Sequence, residues 1–276
     1  MQTKVILFSY DPDLERVCAA AMRSCYSPHP AFSLFTNAAE GLEGEKPFDR
    51  ERVQSLLRKA LELGHHDILE HGQFSFDVQG ISRACSHQLV RHRLASFSQQ
   101  SQRYVKVTRS YGYIKPPSIK DGLKVSIAHG SQKLDLSFED LMEIIRTMEE
   151  EYLKLGVRAE DTRYIRPNAA ATNIVLSLNP RSLLHVLGLR CAPDAQWEIR
   201  DIAWALYACA KIVAPTIYER LPNSGNDFMQ KKMAIITKIV EDCRGAFEAT
   251  TPGRLFEIPL EGAGLDHPVT AYVLRR

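Results

Sequence analysis

Apolar residues recur along this chain with two different periods, and the switches between them mark out its elements. Residues 4–9 read as a first strand, closed by the turn formers Asp11-Pro12-Asp13. Leu14, Val17, Cys18 and Ala21 then share one side of a helix from Leu14 to Arg23, capped by Asp13 and stopped before Pro28. Residues 32–47 have no period and read as a loop. Val53, Leu56, Leu57, Ala60 and Leu61 restore the helical period over residues 49–63, with Gly64 as the stop. Clean alternation through Phe74, Phe76 and Val78 predicts a strand that Gly80 breaks, and a helix is expected from Ile81 to Val90.

Residues 104–113 again look β-like, while 118–136 is polar and weakly patterned. Phe138, Leu141, Met142, Ile145, Met148, Tyr152 and Leu155 trace a long amphipathic helix up to Gly156, with Glu139, Asp140, Glu143, Glu149 and Glu150 on its water-facing side. A short helix over 159–164, a buried strand over 172–178 and a helix over 179–190 follow. In that last helix Leu183, Val186, Leu187 and Leu189 should face inward. A hydrophobic helix over 201–213 and one more helix over 227–242 precede a tail containing Gly and Pro.

At 276 residues, 45% hydrophobic and 25% charged, the chain has the composition of a soluble globular protein with room for one large domain or two small ones. No run of about 18 apolar residues marks a membrane helix. The opening residues read as a strand rather than a signal peptide. Six cysteines without CxxC or zinc spacing suggest reduced thiols and a cytoplasmic protein. A net charge of +2 gives no bulk attraction to nucleic acid, so positive charge matters only where it is local.

It is most local between Val90 and Tyr104. These fifteen residues hold three arginines, a histidine, three serines and three glutamines, without one Asp or Glu. Arginine keeps its charge, so the stretch must face water or find an anion elsewhere. Guanidinium forks and hydroxyls suit phosphate oxygens, and glutamine offers both a donor and an acceptor edge for a base or a flavin ring. A nucleic-acid module would use the same residues. Upstream, His65-His66-Asp67-Ile68-Leu69-Glu70-His71 invites a metallohydrolase reading, although the His-Glu-x-x-His order of a zinc protease is absent. A capped helix start with polar histidines accounts for the same residues.

The spacing of Arg91-His92-Arg93, seven residues, then Ser101 resembles the signature of the flavin-dependent thymidylate synthases. Two further blocks resemble that family in the same order. They are Gly64-His65 through Glu70-His71, and Asn179-x-Arg181-Ser182 through Leu189-Arg190 followed by Ala195-Gln196-Trp197-Glu198-Ile199. The likeness covers about residues 15–220, so it implies a synthase domain over 1–221 and a C-terminal extension over 222–276 without an assigned role. The implied fold is α+β, an antiparallel sheet flanked by helices with a helical C-terminal half.

The implied reaction methylates dUMP to dTMP with 5,10-methylenetetrahydrofolate as carbon donor, NADPH reducing bound FAD, and no enzyme cysteine as nucleophile. The resemblance implies that Arg190 and His65 act catalytically, with Arg190 against the uracil ring. Asp67, Arg91, His92, Arg93, Gln99, Asn179, Arg181 and His185 would hold the flavin, with Cys25 and Tyr26 nearby. Gln88, Leu89, Val90, Arg91, Gln99, Gln100, Ser101, Gln102, Arg103, Arg163 and Arg190 would hold the nucleotide. Asp67 stands where the family has a small hydroxyl residue, and its carboxylate would repel a flavin pyrophosphate. Gln99 stands where many relatives carry an acid. The family's functional unit is a homotetramer with FAD bound where subunits meet, and the resemblance implies neither a metal, a membrane nor a nucleic-acid partner.

Overall fold

Val5 and Leu7 are fully buried on one face of the first strand while Lys4 and Ile6 stay half-buried on the other, the alternation that selects strand over helix. The computed structural model describes residues 2–36, 48–105 and 112–276. Its strands are β1 (Thr3–Tyr10), β2 (Phe74–Ser82), β3 (Ser96–Gln99), β4 (Lys124–His129), β5 (Gln132–Ser137), β6 (Ala171–Leu178), β7 (Leu255–Ile258) and β8 (Val269–Leu274). Six of them form a sheet in the order β3-β6-β2-β1-β8-β7, and β4-β5 is a separate hairpin. In β1, β2 and β6 alternate residues are buried, giving the sheet one dry face. The other is partly polar, with Ser75 and Ser177 hydrogen-bonded across β2 and β6 at 2.8 Å.

The helices are α1 (Leu14–Ser24), α2 (Ala31–Thr36), α3 (Arg50–Glu62), α4 (Arg83–Leu89), α5 (Phe138–Lys154), α6 (Ala159–Thr162), α7 (Pro180–Arg190), α8 (Trp197–Val213) and α9 (Asp227–Ala249). The core gathers around α8, of which 14 of 17 residues are buried. It touches β1, β8, α4, α7 and α9. Trp204 and Tyr207 pack edge-to-face at 5.8 Å, an arrangement that favours aromatic pairs beyond their area alone.

Several expectations change. The fold is α+β, but β1 and β8 pair in parallel, so the sheet is mixed rather than wholly antiparallel. The C-terminal half is not simply helical, because it supplies β6, β7 and β8. Val269, Ala271 and Val273 bury against the core beside β1, covering an edge that would otherwise stand unpaired. Gly80 does not end β2. With φ of +65° it forms a bulge that shifts the register between Val78 and Ile81, and the strand continues to Ser82.

Asp13 makes no side-chain cap to α1. Ala31–Thr36 is helical where a loop was expected, and the rest of that loop, 37–47, lies outside the described residues. The β-like stretch 104–113 lies largely outside them too, with Tyr113 forming an isolated bridge to Ala170. Residues 118–136 contain all but the last residue of the β4-β5 hairpin, whose Val125 and Ile127 face Leu136 and Leu134 across the strands yet remain substantially exposed. Without burial on one side, the hairpin's alternation is diluted by polar neighbours.

Along α5, Leu141, Met148, Tyr152 and Leu155 are exposed, whereas Glu149, expected in water, is fully buried. The reason is Arg166, whose Nε donates to Glu149 Oε1 at 2.7 Å and to Oε2 at 2.9 Å. A bidentate guanidinium offsets the desolvation of the carboxylate. Arg166→Met therefore leaves a buried charge without its fork, and urea unfolding should show a loss of about 3 kcal/mol or more. Replacing Glu149 with Leu in the same background should recover most of that loss. An unchanged unfolding midpoint in Arg166→Met would mean that water reaches Glu149.

Candidate active site

The basic loop begins where α4 ends, and α4 is fixed from below. Ser82 caps it by accepting from Cys85 N at 2.9 Å. Its own backbone N–H donates to Glu198 Oε1 at 2.6 Å, and its hydroxyl donates to the same carboxylate. Glu198 lies in the first turn of α8, where Gln196 Oε1 accepts from both Glu198 N and Ile199 N at 3.1 Å. Burial raises the Glu198 pKa, and the two Ser82 hydrogen bonds oppose that rise.

From α4 the chain passes to His92, only 8% exposed among exposed arginines. Arg190 Nε donates to His92 Nε2 at 3.0 Å. His92 must then be neutral with its proton on Nδ1. Burial, followed by the nearby Arg190 and then His185, pushes its pKa down to about 4. The His185 ring lies edge-on to His92 at 6.2 Å.

α7 carries this arrangement. Asn179 caps it by accepting from Ser182 N at 2.8 Å, with Pro180 opening the first turn. Arg181 at one end pairs with Glu70 at 2.5 Å, and Arg190 at the other meets His92. Nine residues of helix separate the two by roughly 13 Å. The segment containing Glu70 is held against α1 at Gly72, where a Cβ would fall 1.7 Å from Leu14 Cδ1. Leu189, expected inward, is 45% exposed. Arg181, His185 and Leu189, four residues apart, form the exposed stripe of α7.

The remaining candidates divide. Gln99 Nε2 donates to Ser86 Oγ at 2.9 Å and Thr172 Oγ1 at 3.3 Å, which leaves its carbonyl oxygen as the free end. Gln100 Oε1 accepts from Asn173 at 3.5 Å. Ser101 Oγ accepts from Arg103 N at 3.2 Å, and Arg103 is ion-paired with Glu160 at 2.9 Å. Glu160 also pairs with Arg158. Arg163 donates to Glu160 O at 3.1 Å. Gln88 and Gln102 are half-buried and Val90 is exposed, but the Leu89 side chain is in the core, leaving only its backbone available.

Among the described residues, Arg91 and Arg93 make no ion pair or side-chain hydrogen bond, and both are exposed. His65 and Asp67 are exposed as well, and neither joins the cluster around Arg190. His65 instead lines a cavity of about 330 Å³ with Arg23, Tyr26, Arg52 and Lys59. His65, His66 and His71 do not converge, since among the described residues no three His, Cys, Asp or Glu side chains are placed to hold a metal ion.

Some residues carried no signal in the sequence. Arg83 lies near enough to Arg163 to feel its charge, and burial together with that neighbour lowers its pKa. Ser86 and Thr172 orient Gln99, and Glu160 holds Arg103. Each is a polar residue in an otherwise ordinary segment, and only the fold brings it to its partner.

A family model described as "Thymidylate synthase complementing protein" matches residues 6–216. The chain belongs to this family. Curated relatives named flavin-dependent thymidylate synthase include one from Geobacter sulfurreducens, 41% identical over 78% of this chain and 85% of its own. Another, from Clostridium tetani, is 38% identical over 79% and 86% of the two chains. A third, from Thermococcus onnurineus, is 42% identical over 74% and 76%. In this member of the thymidylate synthase complementing protein family the matched region contains both the Arg190–His92 contact and the Ser82–Glu198 anchor.

The depressed His92 pKa links stability to pH. The folded imidazole takes up its proton near pH 4, the unfolded one near about 6.5. Unfolded chains therefore bind more protons between those values, and stability falls as pH drops through that window by at most about 3 kcal/mol. In His92→Gln the fall should be shallower when unfolding is followed from pH 6.5 to 4. An identical pH slope in both proteins would exclude a buried neutral His92.

Proposed function

We propose that this protein is a flavin-dependent thymidylate synthase. It would methylate dUMP to dTMP with 5,10-methylenetetrahydrofolate as carbon donor and NADPH as reductant of bound FAD. The observation that carries this reading is Arg190 held by a neutral histidine instead of a carboxylate. Among the described residues Arg190 forms no ion pair, so its charge is available to stabilise an anionic uracil ring and raise electron density at C5. His92 sets the position of the guanidinium without cancelling it.

The nucleotide phosphate fits Ser101, Arg103 and Arg163. Glu160 keeps Arg103 oriented until a doubly charged phosphate competes for it. Gln88, Leu89, Val90, Gln100 and Gln102 complete the nucleotide side, Leu89 through its backbone. Gln99 would reach both ligands with its free carbonyl oxygen.

The donor set also fits FAD. Among the described residues Arg91 and Arg93 are unpaired cations flanking His92 in the chain, and Asn179 and Arg181 lie at the start of α7. Asp67 opposes this fit with an exposed carboxylate. Bound FAD would supply the reducing equivalents that complete the methyl group. His65 would act from the α1–α3 side, a task that requires the surfaces of several chains to meet.

A homotetramer agrees with the exposed apolar residues Leu94, Tyr104, Tyr164 and Leu189 around the basic loop, a pattern that marks association surfaces. The cysteines agree with a mechanism that uses no thiolate. Cys18, Cys85, Cys191 and Cys209 are buried, and burial raises each thiol, Cys18 and Cys209 to about 12. Among the described residues no helix is long and apolar enough to cross a membrane; the proposed setting is the cytoplasm.

Purified protein should carry the yellow absorption of oxidised flavin and form dTMP only with folate and NADPH present. Arg190→Ala should reduce turnover by about a hundredfold or more while FAD binding changes little, and Cys25→Ser should remain active. A colourless protein that does not take up FAD, or parallel loss of turnover and FAD binding in Arg190→Ala, would contradict the assignment.

A further inference from the structure

A second concave site lies away from the basic loop, where the family-matched region meets the C-terminal elements. It is a cavity of about 360 Å³ bounded by the starts of α1 and α3 and the ends of α8, α9 and β8. Four arginines line it: Arg16, Arg50, Arg244 and Arg275. Arg244 and Arg275 lie beyond the stretch that the family model matches. Arg16 Nε donates to Phe35 O at 2.5 Å, and Arg244 donates to Ile212 O at 3.0 Å and Lys211 O at 3.4 Å. Arg275 donates to Arg276 O at 2.6 Å, but its buried Nε has no hydrogen-bond partner.

Three carboxylates share the cavity, yet among the described residues none pairs with these guanidinium groups. Glu15 is engaged by Thr216 N at 2.6 Å, Ile217 N at 3.1 Å and Thr216 Oγ1 at 3.1 Å. Asp13 and Glu248 form no ion pair with any of the four. Asp13 also leaves the first turn of α1 without a side-chain cap, and that end of the helix lines the cavity. Arg50 makes no ion pair or side-chain hydrogen bond among the described residues and is exposed. Three of these permanent cations are held by carbonyl oxygens and Arg50 is free of such contacts among the described residues, so four guanidinium groups, one with a buried N–H unsatisfied, share the cavity without an ion-pair partner among those residues.

We propose that this cavity binds a phosphate-bearing anion through Arg16, Arg50 and Arg275 at the start of α1. The space is that of a small-molecule site, and guanidinium groups match phosphate oxygens in pairs. Because α8 runs from this cavity back to the Glu198–Ser82 anchor, an occupant would bear on the helix that positions the basic loop.

The full-length protein should be titrated calorimetrically with inorganic pyrophosphate and, separately, with a nucleoside triphosphate, at constant ionic strength. Arg50→Glu, an exposed change that removes no contact in the fold, should weaken binding by at least about tenfold, whereas Arg103→Ala in the basic loop should leave this binding event unchanged. Comparable affinity for both probes would identify the phosphate group as the whole determinant, and clearly tighter nucleotide binding would identify a nucleotide site. Absence of binding at millimolar probe, unchanged affinity in Arg50→Glu, or loss of binding in Arg103→Ala alone would each overturn the proposal.

Discussion

The geometry of the candidate site depends on one buried carboxylate. Glu198 accepts two hydrogen bonds from Ser82, and through them the most deeply buried helix of the molecule fixes the first residue before α4. α4 starts from that point, and β3 beyond the arginines is held separately by its pairing with β6. A carboxylate in the core is costly unless its lone pairs are matched, so the anchor admits little variation in distance. The start of the polar loop is thereby referenced to the hydrophobic core even though Arg91 and Arg93 are exposed.

α7 performs the second alignment. Its cap residues set its start beside the Glu70 segment, and its last turn delivers Arg190 to His92. The two ends handle charge differently: Arg181 is paired with an exposed carboxylate, while Arg190 meets a neutral ring. Their separation is set by helix geometry and does not depend on loop conformation. A helix that is pinned at both ends transmits any displacement of one end to the other.

The sequence made the regular elements and the three motif blocks legible because each combines a period with residues that have few alternative uses. Val5 and Leu7, or Leu183 and Val186, could face only the core. The same logic failed where burial and polarity part company. Glu149 looked like a surface residue because Arg166, its partner, lies seventeen positions away on another element. Leu141 and Met148 looked like core residues, but among the described residues they are only partly covered. Gly80 looked like a break, and only the pairing with β6 turns it into a bulge. At the site, Arg91 and Arg190 were visible as types in a spacing, whereas the tautomer of His92 and the orientation of Gln99 arise from neighbours that sequence does not order.

The parallel partnership of β1 with β8 has a consequence for how this protein comes to exist. Thr3–Leu7 of β1 pair with Val269–Val273 of β8, so this edge of β1 waits for residues synthesised long after it. Until then its hydrogen-bonding edge stays open, a state in which nascent chains are prone to aggregate. Completion of the sheet consequently requires a very long loop closure, and such pairings fold slowly.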